Sequence, residues 1–176
     1  MSESERDSSS AAERARWLLN RGAHLLAQNK APQAVPVLEE ALRLDGQSVP
    51  VLINMGGAYI VTGQHKRAIP LLEEAGAAEP DNAMVWINLG AAYLGHPVLA
   101  SSSEQMNAIK AFERALELDP AAPSVHYNLG LIYVDRGDTD SAVEAFRQAI
   151  KFGPRDRDAH ILLRKFEPKS DLWGDT

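Results

Sequence analysis

Apolar side chains recur along this chain three and four positions apart, in short blocks, and the blocks themselves repeat. Spacing of that kind puts the apolar residues on one face of a helix. Four glycines keep the register: Gly22, Gly56, Gly90 and Gly130 follow one another at intervals of 34, 34 and 40 residues. A period in the range of roughly 20–50 residues marks a solenoid of stacked supersecondary units.

Counting from each glycine defines two helices per repeat. Four residues before it stand Leu18, Leu52, Trp86 and His126; one before, Arg21, Met55, Leu89 and Leu129; three after, Leu25, Tyr59, Tyr93 and Tyr133. These offsets share one face of a first helix. Further on come Ala34, Ala68 and Ala142, then Leu38, Leu72 and Phe146, then Ala41, Ala75 and Ala149, which share one face of a second helix. The third repeat keeps this second series as Ala108, Phe112, Ala115 and Pro120, displaced by a six-residue insertion that accounts for the single interval of 40. Glycine and alanine are expected to face each other where the two helices come closest, with the aromatic residues filling the wider gaps. Pro80, Pro120 and Pro154, with Gly46 in the first repeat, end the second helices, because proline cannot continue the hydrogen-bond ladder. Thr62-Gly63 and Arg136-Gly137-Asp138 are turns between the helices of a pair. Pro36 and Pro70 recur near the starts of second helices, where a missing N–H costs little.

This pattern resembles the tetratricopeptide repeat family. The best match runs from His126 through Asn128-Leu129-Gly130, Tyr133, Gly137, Ala142, Phe146 and Ala149 to Pro154, followed by Trp86 to Gly90 with Tyr93, Ala108, Phe112, Ala115 and Asp119-Pro120. The resemblance covers residues from about 15 to 156 and implies an all-α, right-handed superhelix (a solenoid) of four helix pairs. The repeats divide as 15–48, 49–82, 83–122 and 123–156. A capping helix follows at 157–168, with Arg164 where the glycine would stand; it is expected to cover the last repeat and show charge to water. The solenoid as a whole spans 11–168. Ser10 and Glu13 have capping-box spacing and predict a first helix starting near Ala11, after a disordered tail over 1–10. A second tail, 169–176, carries Leu172-Trp173, read either as an unanchored terminus or as a segment that docks into a groove.

The resemblance further implies that the first helices line a concave surface on which a peptide or helix of a partner lies. Two positions before each glycine stand Asn20, Asn54, Asn88 and Asn128. A side-chain amide both donates and accepts, so a row of them can bond an extended peptide backbone whatever its side chains; the same amides can instead bond a neighbouring helix. Ile53, Ile87 and Tyr127, with Gly57, Ala91 and Leu131, make the expected groove apolar, although the row of Ile53 and Ile87 can equally belong to the core between repeats. The lysines and arginines of a carboxylate clamp are missing from this face. The insertion from Gly95 to Ser103 is expected to be capped by Ser103 and to offer Val98 and Leu99 as a lip, or to be an inert extension of the loop.

Composition narrows the function. Net charge is −6 with no basic stripe, which argues against nucleic acid as partner. The chain has no cysteine and therefore no thiolate metal site or disulfide; it has no long apolar span, and its first residues lack the basic-then-apolar order of a secretory signal. The expected location is the cytoplasm. No phosphate-cradling loop, metal spacing, cofactor site or nucleophile with a base partner is found, and His126 and His160, one repeat apart, read as packing residues. Glu39-Glu40 and Glu73-Glu74 read as solvated faces. The expectation is a non-catalytic scaffold that binds a protein or peptide; the alternative is a structural protein that assembles with itself through the groove or its ends.

Overall fold

A computed structural model describes residues 3–96 and 100–167. All nine elements among the described residues are helices. The chain forms two compact units, Met1–Leu118 and Asp119–Thr176. The first holds α1 (Glu3–Ala27), α2 (Ala31–Leu44), α3 (Val49–Val61), α4 (His65–Ala78), α5 (Ala83–Leu94) and α6 (Ser102–Leu118). The second holds α7 (Pro123–Asp135), α8 (Thr139–Phe152) and α9 (Arg157–Phe166). Consecutive helices pack as antiparallel pairs, α1 with α2, α3 with α4, α5 with α6 and α7 with α8, as the repeat register requires.

The register residues form the core. In the first unit Ala34, Leu38, Met55, Tyr59, Ala68, Leu72 and Leu89 are buried in one cluster, and in the second Leu129, Ala142, Phe146 and Ala149 are buried. The expected pairing of glycine with alanine is corrected. Each register glycine faces the large residue of the second helix in its pair. A Cβ added at Gly56 would lie 2.7 Å from Leu72 Cγ, and one at Gly130 would lie 2.5 Å from Phe146 Cε1; Gly22 meets Leu38 and Gly90 meets Phe112 in the same way. The alanines flank that contact, and the missing glycine side chain is the space the leucine or phenylalanine occupies.

Left-handed residues close the first helices. Asn29, Gly63 and Gly137 stand at equivalent positions with φ of 58°, 75° and 75°. The following N–H then reaches back to the last turn, as Gln64 N does to Tyr59 O at 2.7 Å and Asp138 N to Tyr133 O at 2.9 Å.

Two expectations about helix ends need revision. α1 begins at Glu3, not near Ala11, and Ser10 lies inside it. No proline or glycine precedes Gly22, so nothing in that stretch stops the helix from extending toward the N-terminus. α6 is capped by Ser101, not Ser103: Ser101 Oγ accepts from Glu104 N at 3.3 Å, and Ser101 N donates to Glu104 Oε2 at 2.8 Å, the reciprocal arrangement of a capping box. α9 packs on α8 through buried Ala159 and shows Arg164 and Lys165 to water, but it also leaves Ile161 61% exposed. Val98, Leu99, Pro168, Leu172 and Trp173 lie outside the described residues.

Candidate functional site

In the first unit α3 touches both α1 and α5, so the first helices of three successive repeats lie side by side. Asn20 on α1 is exposed, and Asn54 on α3 and Asn88 on α5 are half-buried. Asn54 Nδ2 donates to the carbonyl of Pro50 in its own helix at 2.8 Å, which leaves its Oδ1 without a partner among the described residues. Asn20 and Asn88 make no side-chain hydrogen bond among the described residues, so no neighbouring helix uses those amides. In the second unit Asn128 holds the equivalent position on α7, half-buried and likewise without a side-chain partner among the described residues.

The apolar positions divide between core and surface. Ile53 packs against the cluster of Val49, Leu52, Ala75 and Val85, and Ile60 packs against the main core, so both contribute partly to stability. Ile87 and Ala91 are half-buried. Gly57 is open, since a Cβ built there meets no heavy atom within 4 Å. Tyr127 is partly a core residue, its ring tilted against Phe146 at 6.1 Å, and burial raises its hydroxyl pKa, with Asp158 and Asp156 adding to the effect. Leu131, one turn further along α7, is half-buried. Val61 and Met84 stand seven residues after Asn54 and four before Asn88, on the same helix faces as those amides. They are 70% and 52% exposed, among the most exposed large apolar side chains of the first unit.

Several charges of the first unit tie its helices together. Glu39 and Glu73, read above as merely solvated, each accept a tyrosine hydroxyl from the next repeat, Tyr59 at 3.0 Å and Tyr93 at 2.5 Å. Arg67 joins the first of these, 3.0 Å from Glu39 and stacked over the Tyr59 ring at 4.1 Å. Burial, then the hydrogen bond from Tyr93 to Glu73, pushes the Tyr93 pKa up to about 12. Glu40 pairs with Arg14 at 2.8 Å. Three aromatic nitrogens at one register position are also structural. Trp86 Nε1 donates to Pro80 O at 2.8 Å, His126 Nε2 to Pro120 O at 3.0 Å and His160 Nε2 to Pro154 O at 3.1 Å, tying each first helix to the turn before it. The signal was present in the sequence as a fixed six-residue separation from each proline.

A cavity of about 390 Å³ opens where the insertion leaves α5, lined by His65, Tyr93, His96, Ala100 and Glu104 among others. Among the described residues no group of three or more His, Cys, Asp or Glu is placed to hold a metal, and no helix is long and apolar enough to cross a membrane.

A family model described as "Tetratricopeptide repeat" matches residues 25–93, and a second with the same description matches residues 106–160. Among solved structures, the thermophilic TPR protein TTC0263 of Thermus thermophilus is similar over 86% of this chain and 80% of its own, with 19% identity and a TM-score of 0.73. MamA of Desulfovibrio magneticus RS-1 is similar over 81% of this chain and 77% of its own, with 26% identity and a TM-score of 0.66. Pseudomonas aeruginosa PilF is similar over 89% of this chain and 69% of its own, with 20% identity and a TM-score of 0.72. No curated protein matches the sequence.

Proposed function

The chain belongs to the tetratricopeptide repeat family and is a protein–protein interaction scaffold, and from that premise we propose that its ligand is a peptide or helix lying across the first helices of the repeats. In the first unit the contact surface is Asn20, Asn54 and Asn88 with Ile53, Gly57, Ile87 and Ala91. In the second unit Tyr127, Asn128 and Leu131 hold the equivalent register on α7. The observation that carries this reading is the state of the amides in the first unit: accessible to solvent, on touching helices, and not saturated by any neighbouring helix among the described residues. A carboxamide with an open donor and an open acceptor can bond a ligand N–H and C=O together. Around it, exposed Val61 and Met84 offer apolar area to cover.

The role is non-catalytic. Tyr59, Tyr93, Glu39, Glu73, His126 and His160 are engaged in ties between helices or to the turns before them, and binding is the role we assign to the open face.

Partner capture from source cells tests this reading, with the full chain as bait and an Asn20→Ala/Asn54→Ala/Asn88→Ala triple variant as control. The expected outcome is a partner retained by the native chain and lost from the folded triple variant. Equal capture by both rules the amides out of the contact.

A further inference from the structure

Charge is distributed unevenly among the helices of the first unit. α2 carries Glu39, Glu40 and Arg43, and α4 carries Lys66, Arg67, Glu73 and Glu74. α3 and α5 contain no Asp, Glu, Lys, Arg or His along their whole lengths, although Val61 and Met84 leave them partly open to water. A charged ligand side chain set against such a surface gives up its water and meets no counter-charge on either helix. An apolar side chain there gains burial without that loss.

Gly57 adds a steric fact. Its neighbour Gly56 is required by the contact with Leu72, but a Cβ added at Gly57 would meet nothing within 4 Å. An interior glycine weakens a helix relative to alanine, and no packing among the described residues requires this one. Its bare backbone leaves room for another main chain to approach α3 closely.

We propose that the α3–α5 face takes an uncharged, apolar stretch of a partner protein, whose main chain crosses α3 at Gly57 within reach of Asn54 and Asn88. This occupant presupposes that the face is the ligand site, as set out under the proposed function.

The test uses the full chain and an array of immobilised nonapeptides built from Ala, Leu, Val, Ser, Asn and Gly, each beside a copy with one central Glu or Lys. Uncharged members bind, and a central charge of either sign weakens binding by about tenfold or more. Gly57→Gln abolishes binding of the uncharged members while its melting temperature stays at or above that of the native chain, because glutamine favours a helix over glycine and its Cβ meets no neighbour. Charged copies that bind as well as uncharged ones overturn the proposed occupant; if Asn54→Ala and Asn88→Ala then weaken both sets, the face itself stands as the ligand site. Binding that survives Gly57→Gln, or no binding by any member, overturns both. Light scattering decides the remaining case: association that grows with concentration and is lost in Gly57→Gln makes the face a contact between copies, not a partner site.

Discussion

Two glycines on neighbouring helices of the same unit respond oppositely to one added methyl. At Gly57 it enters open space and improves helix propensity, so Gly57→Ala raises stability by about 0.5–1 kcal/mol. At Gly90 it runs into the Phe112 ring, so Gly90→Ala lowers stability by about 1–3 kcal/mol through overpacking. Urea melts of the two variants check this, and a shift of the same sign in both contradicts it. Tyr93 gives a second residue-level expectation. Its folded pKa, pushed up to about 12, lies above the ordinary 10.0, so the native state holds the hydroxyl proton more tightly than the unfolded chain. The stabilisation is present below pH 10 and lost as pH rises toward 12. Melts between those limits should fall less steeply for Tyr93→Phe than for the native chain. At this scale the register residues were readable, because a period names equivalent positions. Their partners were read less well. Spacing fixes the face a glycine occupies but not which side chain crosses it, so alanine was expected where Leu38, Leu72, Phe112 and Phe146 stand. The acceptor roles of Glu39 and Glu73 were missed, although each stands 20 residues before its tyrosine.

Helix ends are where local sequence was least decisive. Ser101, Ser102 and Ser103 are all acceptable caps in composition, and the one that caps is the one with a glutamate three residues on. Ser101→Ala should cost about 1 kcal/mol, whereas Ser103→Ala should change stability by less than about 0.5 kcal/mol; thermal melts that reverse this order remove the cap from Ser101. The bonds with Ser101 also hold the Glu104 carboxyl below its ordinary 4.5. That contribution is therefore present above pH 4.5 and fades as pH falls through the lowered value, so Ser101→Ala should also blunt the acid sensitivity of α6. The same spacing at Ser10 and Glu13 sets no boundary. Ala100, just ahead of Ser101, is not helical, whereas no proline or glycine ahead of Ser10 breaks the helix, and α1 continues to Glu3.

At the largest scale, repeat arithmetic delivered the helix count among the described residues, the pairing and the position of the one insertion, because every repeat must bury the same face against its neighbour. It could not divide a first-helix face between core and ligand. Ile53 shows why: its position lies on the proposed binding surface and still packs on Val49, Leu52, Ala75 and Val85. Burial sorts the rest, leaving Gly57, Val61, Met84 and the amides as the part of the first unit that its own packing does not need. The most direct test is calorimetric titration of an uncharged nonapeptide into the native chain and into Asn54→Ala/Asn88→Ala. The account predicts that the double variant melts as the native chain does and binds more weakly by about 1–3 kcal/mol, the worth of two hydrogen bonds; an affinity equal to that of the native chain would contradict it.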